Sequence, residues 1–531
     1  MKKISFLIIM MMSVHGLCFA QDWTDYDTSE KLHISDGLQY QVELQATASN
    51  NQTPLWLNAN KYGLSSLKST NGYLRGAVIR PLKTDSICRW GVGFGLDMAV
   101  PVNYTSKVVV QQAFAEIRWL HGALSVGSKE YPMELKNNTL SSGSQTLGIN
   151  ARPVPQVRFS LPDYWRLPFG KGWLHLKGHI AYGKFTDDNW QHDFTDRKNK
   201  YADNVLYHSK AGFIKIGNAE RFKPWSLELG VEMASTFGGT AHRRVGSEMQ
   251  EVKNNTDLKA FFHAFIPGGG DVVEEGTVYQ NEEGNHLGSW LARLNYETDR
   301  WQLSFYAEKY FEDHSSMFQL DYDGYGEGPE WNVRKKRRYF LYDFKDWLLG
   351  MEWHSKYSRL LNTVLFEYIY TKYQSGPVYH DHSEGRSDHI SGIDSYYNHY
   401  IFTGWQHWGQ VMGNPLYRSP IYNTDGTIEV KDNRFYAFHL GLDGSLSDDL
   451  SYRFLVTCQK GFGTYYEPYH KSHHNVSLLL EGKYNFSSRM LQGWSLTGGL
   501  GMDFGAILGN TYGFQMTVAK TGSLLGKKGK R

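Results

Sequence analysis

The chain has 531 residues, of which 41% are hydrophobic, 21% are charged and 15% are aromatic, with a net charge of +2. So many large rings with moderate charge exclude an intrinsically disordered chain, because there is ample apolar surface to bury. A mean hydropathy of −0.50, with no run of about 20 apolar residues after the N-terminus, excludes a bundle of transmembrane helices. Two classes remain: a large soluble β-protein, or a chain whose hydrophobicity is hidden by alternation.

Residues 1–20 predict a secretory signal peptide. Two lysines precede an apolar run, and the sequence Cys-Phe-Ala at 18–20 fits a cleavage site. A lipoprotein signal at Cys18 is the weaker alternative, because Leu17 stands where a small residue is expected. Cleavage removes two of the 56 basic residues and leaves 54, equal to the 54 acidic ones, so no nucleic-acid partner is implied.

Residues 21–38 are polar and are predicted to form a periplasmic N-terminal segment or a partial plug. The chain then alternates with a period of two, which is typical of strands whose faces meet different surroundings. In 225–233, for example, Trp225, Leu227 and Leu229 share one face, while Glu228 and Glu232 share the other. Many such segments begin with tryptophan, as in an aromatic girdle at a membrane interface. The predicted strands are 39–48, 72–80, 89–99, 108–120, 122–128, 155–160, 173–184, 208–216, 224–234, 289–297, 300–310, 346–354, 360–372, 433–443, 451–461, 474–486, 493–505 and 511–519.

A soluble β-sandwich also alternates apolar and polar faces, but the lengths of the connections favour a membrane barrel. Short connections such as 298–299, 355–359 and 444–450 alternate with long ones at 49–71, 129–154, 185–207, 235–288, 311–345 and 373–432. Outer-membrane barrels have short periplasmic turns and long extracellular loops. We therefore predict an all-β fold, a transmembrane antiparallel β-barrel of about 18 strands over residues 39–519, with a basic C-terminal tail at 520–531. Because 122–128 and 155–160 are weak strands, sixteen strands is the alternative.

The polar face of these strands would line the lumen of a closed barrel. The inward residues predicted there are Glu228, Glu232, Arg293, Glu352, Glu367 and Asp503. Their mixed charges favour a network that braces the wall over an acid/base pair. No nucleophile elbow, phosphate-binding loop, zinc-protease or dinucleotide motif occurs, so we predict no catalytic residue, no cofactor and no enzyme.

The long connection 373–432 also contains candidate metal ligands, which are His380, Asp381, His382, His389, His399 and His407. Nothing in their spacing fixes a third ligand, so a solvated polar loop is favoured and no metal is predicted. The two cysteines that remain after cleavage, Cys88 and Cys458, lie outside any metal or redox motif. Both are predicted to be buried as small hydrophobic residues.

Two outer segments have the composition of ligand-binding surfaces. The run Arg334, Lys335, Lys336, Arg337 and Arg338 would meet lipopolysaccharide phosphates or an acidic polysaccharide, with a solvated loop as the alternative. Connection 373–432 combines tyrosine and tryptophan with amides and carboxylates, which suits sugars because rings stack on C–H faces while polar groups bond hydroxyls. Packing of this long loop on itself is the alternative.

Two stretches carry a family resemblance. Leu140-Ser141-Ser142-Gly143 followed by Asn150 to Val157 (NARPVPQV), together with Gly404 to Leu416 (GWQHWGQVMGNPL), resemble the Wzi-like capsule assembly proteins common in Bacteroidetes. The resemblance covers most of the mature chain. It implies an eighteen-stranded outer-membrane barrel that acts as a surface lectin and holds exported capsular polysaccharide at the cell, without catalysis.

We therefore predict a non-enzymatic, monomeric protein of the bacterial outer membrane. It would bind and anchor capsular or exported polysaccharide and contact outer-membrane lipid and lipopolysaccharide. A porin or polysaccharide export channel is the alternative, and an outer-membrane enzyme is a third hypothesis that lacks a motif. The candidate polysaccharide-binding residues are Arg152, Trp405, Gln406, His407, Trp408 and Asn414, together with the five cations from Arg334 to Arg338.

Overall fold

The structure, a computed structural model, describes residues 31–217, 223–267, 284–312, 319–322, 328–330, 333, 337–340, 345–379 and 390–524. The predicted signal peptide lies outside the described residues, as do residues 21–30 of the predicted N-terminal segment and residues 525–531 of the predicted tail.

Eighteen antiparallel strands form one closed sheet, which confirms the predicted barrel. Consecutive strands pair around the sheet, and the last strand pairs with the first from Gln39↔Ser523 to Ser49↔Gly513, so no edge is left unpaired. The strands are β1 Gln39–Ser49, β2 Thr70–Arg80, β3 Trp90–Val102, β4 Val109–Trp119, β5 Gly122–Ser128, β6 Gln156–Arg166, β7 Leu174–Lys184, β8 Leu206–Gly217, β9 Trp225–Phe237, β10 Asn285–Glu297, β11 Trp301–Glu312, β12 Trp347–Ser355, β13 Thr363–Tyr370, β14 Phe435–Ser445, β15 Leu450–Gly463, β16 Pro468–Asn485, β17 Trp494–Gly505 and β18 Thr511–Ser523.

The strand limits differ from the predicted ones at several ends. The weak strands 122–128 and 155–160 are β5 and β6, so the number is eighteen rather than sixteen. Strand β16 begins at Pro468 rather than at 474, and β18 ends at Ser523 rather than at 519. Residues 520–523 of the predicted tail therefore belong to the barrel. Alternation identifies the middle of a strand, but its ends depend on the neighbour with which it pairs.

The strands separate an apolar outer face from a polar inner face. On β9, Leu229 is 44% exposed on the outer face, whereas Glu228 and Glu232 on the inner face are 8% and 1% exposed. The apolar outer face is the one that suits lipid. Cys88 is buried as predicted, but Cys458 is exposed, so its predicted burial is wrong. Cys458 lies on the outer face of β15, between the inward residues 457 and 459.

The connections alternate in length, as predicted. Long connections at 50–69, 129–155, 185–205, 238–284, 313–346 and 371–434 leave one end of the barrel, while short turns such as 120–121, 298–300 and 446–449 join strands at the other end. In barrels of this type the short turns are periplasmic and the long loops lie outside the cell.

The connections contain short elements of their own. These are the α-helices α1 Leu55–Asn58, α2 Asp188–Thr195 and α3 Leu258–Phe265; the 3-10 turns Leu82–Asp85, Gly328–Glu330 and Pro420–Tyr422; the small sheet of Tyr201–Asp203, Thr240–Val245 and Glu248–Lys253; and the strand pairs Gln319–Tyr322 with Arg337–Phe340, Ser375–Tyr379 with Ile390–Ile393, and Gln406–His407 with Gln410–Val411. Within the described ranges, every helix is too short or too polar to cross a membrane.

Three stretches of these connections, residues 50–69, 129–155 and 394–434, fold back into the barrel and are called the inward segments. They contribute apolar side chains that are at most 3% exposed, among them Trp56, Leu140, Tyr397, Trp405 and Tyr417. These side chains form one buried cluster with inward residues of the wall such as Leu365 and Phe435. The main core therefore lies inside the barrel, because a cylinder of eighteen strands encloses more space than its own side chains fill.

Candidate functional site

Carboxylates of the barrel wall accept hydrogen bonds from the backbone of the inward segments. The bonds are Ser142 N–H to Glu367 Oε2 at 2.8 Å, Gln145 N–H to Glu308 Oε1 at 2.8 Å and Leu55 N–H to Asp503 Oδ2 at 2.9 Å. A buried backbone N–H without a partner costs about 1–3 kcal/mol. Each carboxylate therefore fixes the position at which an inward segment meets the wall.

Arg293 and Glu352 also join the wall to the second inward segment. Their side chains form an ion pair of 2.8 Å. Arg293 donates to the carbonyl oxygen of Leu135 at 3.0 Å, and Glu352 accepts from the side-chain amide of Asn137 at 3.0 Å. These wall charges therefore bond to the inward segment as well as to each other.

Glu228 and Glu232 lie at two levels of the inner face of β9. Glu228 accepts from the hydroxyl of Tyr164 at 2.7 Å and from the amide of Asn295 at 3.1 Å, so it belongs to a network along the wall. Glu232 is 1% exposed and lines a cavity together with Arg152. All six residues predicted for the lumen thus lie on the inner face. Five of them contact the inward segments directly, since Glu232 accepts from the backbone N–H of Leu147.

Lys136 and Glu308 form a fully buried ion pair that is not among the residues predicted from the sequence. Lys136 Nζ lies 2.5 Å from Glu308 Oε2, and both side chains are at most 1% exposed. Lys136 also donates to the carbonyl oxygen of Gly143 at 3.0 Å. The alternation on β11 could have identified Glu308, because it shares the inward parity of Ser304 and Tyr306. Lys136 lies in a connection, where no periodic signal shows that the chain turns inward.

The two stretches that carry the family resemblance contact each other inside the barrel. Side-chain N–H groups of one stretch donate to backbone carbonyls in or beside the other: Trp405 Nε1 to Thr146 O at 2.9 Å, Asn414 Nδ2 to Gly143 O at 3.0 Å and Asn150 Nδ2 to Val411 O at 2.9 Å. Irregular backbone away from water needs such partners. The motif residues therefore stabilise the packing of the second and third inward segments on each other.

Five of the candidate polysaccharide-binding residues are buried, Arg152 at 8% exposure among them, which corrects their predicted place on an outer surface. Trp405 and Asn414 are 0% exposed, Gln406 is 3% exposed and His407 is 1% exposed. The reason is that the third inward segment enters the lumen, where the amide of Gln406 donates to Asp187 at 3.1 Å. His407 Nδ1 lies 2.9 Å from the carbonyl oxygen of Arg152, and burial lowers the pKa of this imidazole.

Arg152 and Trp408 form a stacked pair at the outer part of the inward segments. The guanidinium carbon of Arg152 lies 4.3 Å from the centroid of the Trp408 ring. Arg152 donates to the hydroxyls of Ser106 at 2.8 Å and Thr105 at 2.9 Å, in the connection between β3 and β4. Burial lowers the pKa of Arg152 to about 10, so it stays charged at neutral pH. Trp408 is partly exposed, unlike Arg152 and the other four buried candidates.

The other predicted ligand groups fall largely outside the described residues. These are Arg334, Lys335 and Lys336, and also His380, Asp381, His382 and His389. Arg337 and Arg338 begin the strand Arg337–Phe340. His399 Nδ1 accepts from the backbone N–H groups of Ile401 and Phe402, at 3.0 and 3.1 Å. Among the described residues, no group of three or more His, Cys, Asp or Glu side chains could hold a metal ion.

Two cavities lie beside the second inward segment. A cavity of about 80 Å³ is lined by Tyr131, Arg152, Arg158 and Glu232 among others. A cavity of about 420 Å³ is lined by Glu228, Arg293, Glu352 and residues 134–138. Glu134 lines both cavities. Open space therefore follows the segment along the wall, and its larger part is lined mainly by polar groups.

Comparisons with known proteins support the fold. No family model matches the chain, and no curated protein matches it. Among solved structures, Wzi of Escherichia coli, an outer membrane protein involved in group 1 capsule assembly and a carbohydrate-binding β-barrel, is 13% identical, with a TM-score of 0.54 over 91% of this chain and 85% of its own. OprD of Pseudomonas aeruginosa is 11% identical, with a TM-score of 0.44 over 94% of this chain and 98% of its own. OccAB4 of Acinetobacter baumannii is 9% identical, with a TM-score of 0.42 over 92% of this chain and 99% of its own.

At these identities the likeness shows the fold alone. The closed eighteen-strand barrel with its apolar outer face is of the outer-membrane type. The protein is therefore located in the bacterial outer membrane.

Proposed function

We propose that this barrel is a non-catalytic protein that binds and anchors capsular or exported polysaccharide at the cell surface, as a relative of the Wzi-like capsule assembly proteins. The observation that carries the proposal is the filling of the lumen by the inward segments, which Glu308, Glu367 and Asp503 bond to the wall. When its own loops fill the lumen, the extracellular end of the barrel is the surface that remains accessible to a ligand.

The chemistry of that outer end suits a glycan. Trp408 offers a partly exposed indole beside the guanidinium of Arg152. Tyr400 is 54% exposed, and the guanidinium carbon of Arg243 lies 4.3 Å from the centroid of its ring. Rings stack on the C–H faces of sugars, while guanidinium groups bond hydroxyls and carboxylates. The two motif stretches and the likeness to a carbohydrate-binding barrel add support.

Two measurements test the proposal. In cells, deletion of the gene should move capsular polysaccharide from the cell-bound to the shed fraction, and re-expression of the full chain should restore it. In solution, the detergent-solubilised full chain should bind isolated polysaccharide from the same strain. Unchanged retention, together with no binding by the folded protein, would reject the proposal.

A pore or export channel is the second candidate function. The observation in its favour is the polar cavity of about 420 Å³ beside the second inward segment, which shares Glu134 with the smaller cavity. Planar-bilayer recording of the wild-type chain distinguishes the two functions. Regular single-channel steps would favour the channel, whereas their absence in protein shown to be folded would favour the filled, ligand-binding barrel.

A further inference from the structure

A row of polar and aromatic side chains crosses the outer face of strands β13 to β16, at the long-loop end. The register places Tyr370 opposite Tyr436, Tyr436 opposite Lys460 and Lys460 opposite His474. The row shares the outward parity of Phe366, Phe438 and Leu480, which are 42%, 45% and 52% exposed. It therefore continues the lipid-facing surface towards the outside of the cell.

Three cations, Lys372, Arg434 and Lys460, lie at or just beyond this row and are called the rim cations. Lys372 Nζ lies 4.3 Å from the ring centroid of Phe462, and Lys460 Nζ lies 5.9 Å from those of Phe462 and Tyr436. The guanidinium carbon of Arg434 lies 3.7 Å from the ring centroid of Tyr465. Cation–π contacts of this kind hold a charge at a defined place without neutralising it.

The rim cations have no acidic partner in the part of the chain that the structure describes. Ion pairs there include Lys129 with Glu116, Lys177 with Glu134 and Lys356 with Glu297, but none that involves a rim cation. Arg434 donates to the carbonyl oxygens of Lys372 and Thr464. The two lysine ammonium groups make no hydrogen bond to a described residue, so they can donate to a ligand.

The position of the rim cations indicates the kind of ligand. Tyrosine and tryptophan side chains on membrane barrels gather at the level of the lipid headgroups. Tyr370 and Tyr436 mark that level on these strands, and the rim cations lie beside them on the side of the long loops. The outer leaflet of this membrane contains lipopolysaccharide, whose lipid anchor carries phosphate groups. Lysine and arginine are the side chains that bind phosphate oxygens most strongly.

We propose that Lys372, Arg434 and Lys460 form a site on the outer wall of the barrel for the phosphate groups of the lipopolysaccharide lipid anchor. The site is separate from the polysaccharide surface around Trp408 and from the cationic run at 334–338. It fixes how this side of the barrel sits in the outer leaflet, and it does not depend on the proposed function.

The test uses the full chain in detergent and native mass spectrometry with added bis-phosphorylated lipid A. The double variant Lys372→Gln/Lys460→Gln removes two ammonium groups and leaves the hydrogen bonds of Arg434 in place. The matched control is Lys83→Gln/Lys223→Gln, two lysines in turns at the opposite end of the barrel. A folded band in unboiled samples on electrophoresis shows that each variant folds. If the double variant does not fold, the single variant Lys460→Gln takes its place.

We expect the double variant to retain about tenfold less bis-phosphorylated lipid A than the wild type, because surface cations attract anionic lipid additively. The control should retain as much as the wild type. Wild-type protein should bind lipid A without phosphate as weakly as the double variant binds the phosphorylated form. Equal retention by the double variant and the wild type would overturn the proposal. An equal loss in the control, or equal binding of phosphate-free lipid A by the wild type, would overturn it as well.

Discussion

The indole ring of Trp405 stacks on the phenol ring of Tyr207, with centroids 6.0 Å apart and planes 14° apart. Trp405 belongs to the third inward segment, and Tyr207 lies on wall strand β8. The same indole donates its N–H to the carbonyl oxygen of Thr146 in the second inward segment. One buried side chain therefore ties both segments to the wall.

Replacement of Trp405 by alanine should lower the free energy of unfolding by about 3–5 kcal/mol, the usual cost of removing a large buried ring. Urea unfolding in detergent, followed by tryptophan fluorescence, measures this cost. The control is Trp494→Ala, which removes a 38% exposed tryptophan at the short-turn end. An equal loss in the two variants would contradict the structural role assigned to Trp405.

Replacement of Trp408 by alanine should weaken polysaccharide binding about tenfold, which corresponds to a loss of about 1.4 kcal/mol of binding free energy. Trp405→Phe is the matched comparison, because it keeps a buried ring that no ligand reaches, and its affinity should equal that of the wild type. The affinity of each variant is measured on surface-immobilised polysaccharide. Loss of affinity in Trp405→Phe but not in Trp408→Ala would reverse the assignment of the two tryptophans.

Replacement of Glu308 by glutamine leaves Lys136 buried without a negative partner. Breaking one side of a buried ion pair costs about 3–5 kcal/mol, so the midpoint of thermal unfolding should fall clearly. Glu297→Gln is the control, because Glu297 is 58% exposed in its pair with Lys356 and such pairs contribute about 0–1 kcal/mol. If the two variants unfold at the same temperature, Lys136 and Glu308 do not hold the inward segment.

Removal of residues 137–147, replaced by a short Gly-Ser linker, should raise the conductance of the barrel. This stretch bonds to Glu308, Glu352 and Glu367, and its loss leaves the polar wall facing water. Planar-bilayer recording measures the effect. The control deletion is 244–249, the tip of the hairpin Thr240–Lys253, which should leave the conductance at the wild-type value. A folded 137–147 deletion that conducts no better than the wild type would show that this stretch does not block the lumen.

Asp432 should make the protein more stable in weak acid than in weak base. It is 0% exposed and accepts from the N–H of Gly463 at 3.1 Å, and burial raises its pKa from 3.8 to about 7. The folded state therefore binds the proton more tightly than the unfolded chain. This contribution to stability is full below pH 3.8 and is lost as the pH rises through about 7.

The measurement is the midpoint of thermal unfolding at about pH 5 and about pH 8, on either side of the raised pKa. The unfolding temperature of the wild type should be lower at the higher pH than at the lower pH. This difference should be smaller in Asp432→Asn. Asp448→Asn, at a side chain that is 82% exposed, should keep the wild-type difference. An unchanged difference in Asp432→Asn would contradict the raised pKa of Asp432.

The barrel could be predicted because its evidence is local. A strand such as Trp225–Phe237 shows both of its surroundings in consecutive residues, since Leu229 faces out and Glu228 faces in. Connection lengths then separated the two ends of the barrel. The same parity predicts that Cys458 is exposed, whereas the general preference of cysteine for burial predicts the opposite; the place on the strand decides.

The candidate site could be predicted only in part. The inward charges from Glu228 to Asp503 follow from strand parity, and the stretch around Trp405 and Trp408 follows from its composition and the family resemblance. Which of these rings is buried does not follow, because Trp405 and Trp408 lie three residues apart in the same irregular segment. Their exposure depends on what the segment packs against, and no periodicity reveals that.

The sequence by itself determined an outer-membrane barrel of about 18 strands, because alternation and loop length are properties of neighbouring residues. Only the tertiary structure decided that the lumen is filled. The bonds that fill it join distant parts of the chain, such as Leu55 to Asp503, 448 residues apart, and Trp405 to Thr146, 259 residues apart. Buried backbone groups must find partners wherever the fold brings them, and this requirement turns wall carboxylates and aromatic loop residues into the interior of the barrel.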